Sequence, residues 1–125
     1  MPTFPQLNGS LFYDPNFESD KIYWIDLGAK RWITNEDTFK GVFGQGASVY
    51  KEEEDLSQID AGPDVEPGSI LVRGGSDAKI YLVSQGVARW IPTEELRFQN
   101  HLEGNVHSVP PTLIEMYPAG PAFAR

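Results

Sequence analysis

The feature that most constrains this chain is an internal repeat. The segment KIYWI at positions 21–25 returns 58 positions later as KIYLV at 79–83. At the same spacing Gly28 returns as Gly86, and RWI at 31–33 returns at 89–91. A repeat of this length is typical of a fold assembled from copies of one unit. The sequence therefore predicts two tandem repeats, residues 1–66 and 67–125.

Further matches extend the repeat toward both ends of each copy. Gly9-Ser10 matches Gly68-Ser69 after a one-residue gap, and AGP at 61–63 returns at 119–121. Each copy is close to the size at which an isolated domain becomes marginally stable, so we expect the two copies to bury apolar faces against each other. The expected fold class is α+β and β-rich, with the two repeats packed as one compact, pseudo-twofold symmetric domain.

The strongest secondary-structure signal in each copy is a β-hairpin. Its arms, 21–25 with 30–33 and 79–83 with 88–91, are rich in Ile, Val, Tyr and Trp. If residues 26–29 form the loop, alternate residues lie on opposite faces of the hairpin. The two faces of the first hairpin then carry different sets: Ile22, Trp24, Arg31 and Ile33 on one, and Tyr23, Ile25, Lys30 and Trp32 on the other.

The remaining elements of each copy are short, and the predicted order is β-β-β-α-β-turn, twice. Helices are expected to begin at Thr34 and Thr93, because a hydroxyl side chain ahead of acidic residues is typical of the positive end of a helix. The other predicted elements are a strand at 10–13 and 69–72, a strand near Val49 and Val106, and a helical turn near Leu56 and Leu113.

Paired aromatic rings are the first candidate site. The register places Tyr23 opposite Trp32 and Tyr81 opposite Trp90. Flat rings with a polar group suit stacking on the apolar faces of sugars, on planar ligands or on partner side chains. In the alternative interpretation this face is the seam between the copies or lies under the helix, and the rings belong to the core.

Two arginines inside apolar strands are the second candidate. The guanidinium groups of Arg31 and Arg89 can hold a ligand oxygen or stack on a ring. The simpler interpretation is a salt bridge to Glu36 or Glu94, just beyond the strand ends. The predicted ligand-binding residues are therefore these two arginines and the four aromatic residues Tyr23, Trp32, Tyr81 and Trp90.

Catalytic and metal chemistry find little support. The two histidines, His101 and His107, have neither a cysteine nor a nucleophile-elbow serine as a partner, and no phosphate-binding glycine loop is present. Acidic and amide residues alternate over 14–20, but Ser19 and Ile25 replace the glycine and the bidentate acid of a calcium loop. The chain is not predicted to be an enzyme, and no cofactor or metal site is predicted.

The charge balance restricts the partners. Eighteen Asp and Glu against ten Lys and Arg give a net charge of −8, which argues against nucleic acid and anionic lipid and permits basic proteins or neutral sugars. No apolar run approaches the roughly 18 residues of a membrane span. Without cysteine or a signal peptide, we expect a cytoplasmic protein or a secreted one whose signal has been removed.

One element resembles a known repeat. The segment KIYLVSQGVARWIP at 79–92, preceded by GSILVRG at 68–74 and followed by Gly120-Pro121, is similar to a short repeat of bacterial secreted and envelope-associated proteins. The first copy departs from that pattern at Thr34, where the repeat has proline. The resemblance implies an accessory binding module that accompanies other domains.

These observations predict a non-enzymatic binding module with two equivalent sites. A glycan is the favoured ligand, as in a lectin, because duplicated sites gain avidity on a multivalent target. The alternative is a protein-binding module, such as an inhibitor, an immunity-like partner or an assembly domain, that uses its acidic surface against a basic protein.

Overall fold

The computed structural model describes residues 5–13, 21–44, 50–51, 58–75 and 79–123. These residues form a mixed α+β, β-rich fold with two four-stranded sheets, which confirms the expected class. The first sheet contains β1 (Leu11–Tyr13), β2 (Tyr23–Asp26), β3 (Ala29–Trp32) and β4 (Tyr50–Lys51). The second contains β5 (Ile70–Gly74), β6 (Ile80–Ser84), β7 (Val87–Ile91) and β8 (Val106–Val109). The helices are α1 (Glu36–Phe43), α2 (Glu94–Gln99) and α3 (Pro111–Glu115), with a 3₁₀ turn at Pro5–Leu7.

The two sheets have the same strand order. The first runs β3-β2-β1-β4 and the second β7-β6-β5-β8. In each sheet the first three strands are antiparallel neighbours, and the fourth strand pairs in parallel with the third. An Ala-Gly-Pro segment then lies in parallel beside the outer hairpin strand, through the bridges Lys30–Ala61 and Ala88–Ala119. The proline carbonyl groups of these segments accept hydrogen bonds from Arg31 and Arg89.

Both hairpins have the predicted register. Tyr23 pairs with Trp32, and Tyr81 pairs with Trp90. The loops are shorter than the four residues expected, because residues 26 and 29, like 84 and 87, still pair. Leu27-Gly28 and Gln85-Gly86 all have positive φ angles, which is the geometry of the tight type I′ turn. Shortening a loop by one residue on each side leaves every side chain on its predicted face.

The helix starts match the prediction in one half only. Thr93 caps α2 by accepting a hydrogen bond from the backbone N–H of Leu96. The prediction for Thr34 is wrong: Asn35 caps α1 by accepting from the N–H of Thr38 at 2.8 Å. The Thr34 hydroxyl instead donates to the carbonyl oxygen of Val65, so it is already engaged and the next residue supplies the cap.

The structure describes the remaining short elements completely in the second half and only in part in the first. The strand expected near Val106 is β8, and the helical turn expected near Leu113 is α3. In the first half β4 begins at Tyr50, while Val49 and Leu56 lie outside the described residues. None of the helices in the described ranges is long and apolar enough to cross a membrane.

The largest hydrophobic cluster takes side chains from both sheets. Trp24 lies at its centre, with its ring centroid 5.2 Å from that of Phe43 in an edge-on arrangement. The cluster contains these buried residues: Leu11, Trp24, Ile33, Val42, Phe43, Val65, Leu71, Leu82, Ile91, Leu102 and Phe123. Two smaller clusters, around Ile59 and around Val72, lie on the opposite faces of the hairpins. Both faces of each sheet are therefore packed, and the Trp24 face is shared between the sheets.

Candidate functional site

The hairpin register divides the predicted site residues between two places. Tyr23 and Trp32 point to one face of the first hairpin, and Arg31 points to the other because side chains alternate along a strand. The second hairpin repeats this division with Tyr81, Trp90 and Arg89. We call the Tyr and Trp side the outer face and the arginine side the inner face. The structure brings each Tyr to its Trp, and it places the arginines on the opposite face.

The two outer faces differ in exposure. Trp90 is 40% exposed, and Tyr81 beside it is half-buried. Tyr23 is only 5% exposed and packs with Ile25 and Ile59, while Trp32 is half-buried. The outer face of the second hairpin is thus the more accessible aromatic surface.

A lysine lies over each tryptophan. The Nζ atom of Lys21 is 4.5 Å from the ring centroid of Trp32, and that of Lys79 is 5.6 Å from the centroid of Trp90. Both distances are within the range of a cation–π contact. Each outer face therefore combines an indole ring with an ammonium group.

The inner face holds two buried arginines on one carboxylate. Arg31 Nη1 and Arg89 Nη1 both donate to Asp26 Oδ2, at 2.8 Å and 2.5 Å, and all three residues are about 95% buried. The predicted salt bridges to Glu36 and Glu94 are wrong. These glutamates are exposed at the helix starts, where Glu36 pairs with Lys40 and Glu94 pairs with Arg97.

The Ala-Gly-Pro segments orient both guanidinium groups. Arg31 Nε donates to the carbonyl oxygen of Pro63 at 2.9 Å, and Arg89 Nε donates to that of Pro121 at 2.8 Å. A Cβ atom at Gly120 would lie 2.8 Å from Arg89 Cγ, closer than carbon atoms pack. The glycine therefore allows the segment to lie against the arginine stem.

A second carboxylate reaches this centre through a hydroxyl. Arg31 Nη2 donates to Ser84 Oγ at 3.3 Å, and Ser84 Oγ donates to Glu66 Oε1 at 2.6 Å. Glu66 also accepts from Ser69 Oγ and from the backbone N–H of Gln85. Burial raises the pKa of Glu66, but these hydrogen bonds outweigh it and hold the pKa below its ordinary value. Glu66 is thus held in its charged form.

The two hairpin tips and the Ala-Gly-Pro segments line a cleft of about 190 Å³. We call it the arginine cleft. Its polar lining includes Asp26, Arg31, Ser84 and Arg89, and its apolar lining includes Leu27, Ala29, Pro63, Val87 and Pro121. A second cleft of about 310 Å³, lined by residues such as Lys40 and Glu103, contains none of the predicted site residues.

The sequence did not identify Asp26, Ser84 or Glu66. The signal was nevertheless present, since position 26 carries an acid where the matching position 84 carries serine, beside a turn. The described part of the chain contains no group of three His, Cys, Asp or Glu that could hold a metal ion. The acidic alternation at 14–20 lies outside the described residues.

No protein-family model, curated protein or solved structure matches this chain.

Proposed function

We propose that this chain is a non-enzymatic binding module that binds glycans at the outer faces of its hairpins, most strongly at Trp90. The exposure of Trp90, which lies within strand β7, is the observation that carries the proposal. Large aromatic side chains are buried on average, and an exposed one on a rigid strand offers a flat, preorganised stacking surface. Tyr81 across the strand pair and Lys79 over the ring add hydrogen-bond donors for sugar hydroxyl groups.

The proposal includes a tandem duplication with pseudo-twofold symmetry. Three features support it: the common strand order, the Tyr–Trp pairs 58 residues apart, and the equivalent bridges Lys30–Ala61 and Ala88–Ala119. In this interpretation Lys21 and Trp32 form the second glycan site. It is the weaker site because Tyr23 is buried against Ile59. The arrangement suits the accessory role that the resemblance to envelope-associated repeats implies.

A glycan array measured at low and high salt tests this proposal. Replacing Trp90 with alanine should lower glycan binding by about tenfold or more, because the stacking surface is lost. Adding Trp32→Ala should remove the residual binding. The control is Phe98→Ala, which removes an exposed ring on α2 and should leave binding unchanged. Glycan binding of unchanged strength in Trp90→Ala, or any glycan binding left in the double variant, contradicts the proposal when circular dichroism shows an unchanged fold.

A protein-binding function is the second candidate, and α3 is the observation that favours it. Leu113 and Tyr117 are exposed in and just after this short helix, and Met116 is 77% exposed. Clustered exposed apolar side chains are typical of protein interfaces. A basic partner would complement the net charge of −8. Its association should weaken steeply as salt rises, whereas stacking on a neutral sugar should change little.

A further inference from the structure

The charges around the arginine cleft are unevenly paired. Asp26 serves both Arg31 and Arg89 through one oxygen. The second carboxylate, from Glu66, reaches Arg31 through Ser84. Arg89 has no corresponding link to Glu66. Glu66 therefore adds a second anionic partner on the Arg31 side only, and the anionic partner of Arg89 among the described residues is the Asp26 carboxylate that it shares with Arg31.

Arg89 retains one hydrogen-bond donor that none of the described residues engages. Its Nε donates to Pro121 and its Nη1 donates to Asp26, but its Nη2 has no acceptor among the residues that the structure describes. The side chain is about 95% buried, lines the cleft, and stacks on Phe123 with its Cζ atom 3.9 Å from the ring centroid. A planar guanidinium fixed in this way is preorganised to bind an oxygen anion.

Apart from Gln85 and the polar residues named above, the side chains that line the cleft are apolar. Ala29 and Val87 belong to the facing hairpin strands, and Leu27 lies at a hairpin tip. The Leu27 side chain is 60% exposed, and its φ of 53° lies in a region that a leucine rarely adopts. An exposed leucine in a costly backbone conformation at the edge of a charged cleft fits a role in contacting a ligand.

We propose that the arginine cleft binds a monocarboxylate with a short apolar body. The carboxylate accepts a hydrogen bond from Arg89 Nη2, and the apolar body packs against Leu27 and Val87. A monoanion fits better than a phosphate dianion, because the nearby Asp26 carboxylate repels the second charge and the apolar lining offers few further donors. A cation is disfavoured by the two guanidinium groups.

Titration of the intact protein with hexanoate, hexanol and hexylammonium tests the proposal directly. Binding at this cleft is followed by the amide chemical shifts of Leu27, of Arg89 and of the residues that flank Pro121. Hexanoate should bind at least about tenfold more tightly than the other two, because only it supplies a negatively charged acceptor for the Arg89 guanidinium group. Equal affinities for hexanoate and hexanol, or no binding of any carboxylate, would overturn the proposal.

Charge variants at Leu27 give a second test without touching the buried centre. Leu27→Glu and Leu27→Lys both replace an exposed leucine with a flexible charged side chain, so the main difference between them is the sign of the charge. Hexanoate should bind several-fold more weakly to Leu27→Glu than to Leu27→Lys. Equal binding by the two variants counts against a carboxylate near the hairpin tip. Trp90→Ala should bind hexanoate normally, which separates this site from the glycan site.

The carboxylate can belong to a free acid or to the end of a peptide chain. A short N-acetylated peptide that ends in leucine, compared with its C-terminal amide, distinguishes the two sources. Binding of hexanoate but not of the peptide assigns the cleft to small organic acids. Tighter binding of the peptide acid than of hexanoate, with no binding of the amide, assigns the same chemistry to a chain terminus.

Discussion

At the scale of single residues, the pair Asp26 and Ser84 determines the chemistry of the buried centre. These residues occupy matching positions at the ends of β2 and β6. A buried charge without a partner costs several kcal/mol, so two buried arginines need more than one shared carboxylate. The hydroxyl group of Ser84 links the Glu66 carboxylate to Arg31, so Glu66 acts as the second anionic partner. Glu66 is therefore expected to matter more for stability than its partly exposed position suggests.

Replacing Glu66 with glutamine should lower the free energy of unfolding near pH 7. We expect a loss of about 1 kcal/mol, because the charged acceptor of the Ser69, Ser84 and Gln85 hydrogen bonds becomes neutral while solvent screens part of the effect. The folded-state pKa of Glu66 lies below its ordinary value. Its contribution is therefore fully present above the ordinary glutamate pKa and is lost as the pH falls through the folded-state pKa.

Urea unfolding from about pH 7 to about pH 3 measures this effect. The wild-type protein should lose stability over the acidic part of the range, and the Glu66→Gln variant should lose less. Glu115→Gln, which changes an exposed carboxyl group on α3, is the matched control. Parallel pH profiles for the wild-type protein and Glu66→Gln would show that these hydrogen bonds contribute nothing.

The arginine pairs show where prediction from the sequence ends. The Tyr–Trp pairs were predicted because they depend only on local register. Local patterns do not predict the partner of Arg89, because Asp26 lies 63 residues away, at a position that the sequence places in the hairpin loop. The proximity of Glu36 and Glu94 along the chain favoured the wrong pairs. Side-chain direction decided the outcome, because the arginines point to the inner face and the glutamates are exposed at the helix starts.

Among the elements, the two hairpins follow most directly from local sequence, because their turns carry a strong signal. Each hairpin turns through a glycine at its second loop position, Gly28 or Gly86, where the positive φ angle suits that residue. The sequence did not reveal which face is the core, because both faces carry apolar residues. In the structure both faces of each hairpin contact a hydrophobic cluster: the shared cluster lies on one face and a smaller cluster on the other.

The first turn should be stabilised by replacing Leu27 with asparagine. Asparagine tolerates the left-handed conformation that Leu27 adopts, and the leucine side chain is mostly exposed. We expect the free energy of unfolding to rise by about 1 kcal/mol, measured by urea unfolding. Gln85→Asn is the matched comparison. In this variant the free energy of unfolding should rise less, because the substitution removes the hydrogen bond that Gln85 Nε2 donates to the carbonyl oxygen of Asp64. A destabilised Leu27→Asn variant would contradict this explanation of the turn.

At the scale of the whole molecule, the pairing of strands was the least predictable feature. The order of elements along the chain follows from local patterns, such as the alternation in the hairpins. The parallel pairing of β1 with β4 and of β5 with β8 joins segments that a hairpin and a helix separate. Such pairing is decided by which apolar faces meet in the shared cluster, and no local pattern records that.

The two halves should fold only together. The shared cluster takes Leu11 and Trp24 from the first half and Leu71, Leu82 and Phe123 from the second. A separate half would expose this surface to water, and a chain of about 60 residues buries too little elsewhere to compensate.

Expression of fragments 1–66 and 67–125 tests this dependence. Each fragment alone should give the narrow amide chemical-shift dispersion of an unfolded chain, and an equimolar mixture should recover the spectrum of the intact protein. A Leu71→Ala change in the second fragment is the control, because it removes a fully buried side chain from the shared cluster and should weaken reassembly by about 2–5 kcal/mol. Cooperative unfolding of either fragment alone would instead mean that its own clusters, such as the one around Val72, are sufficient for folding.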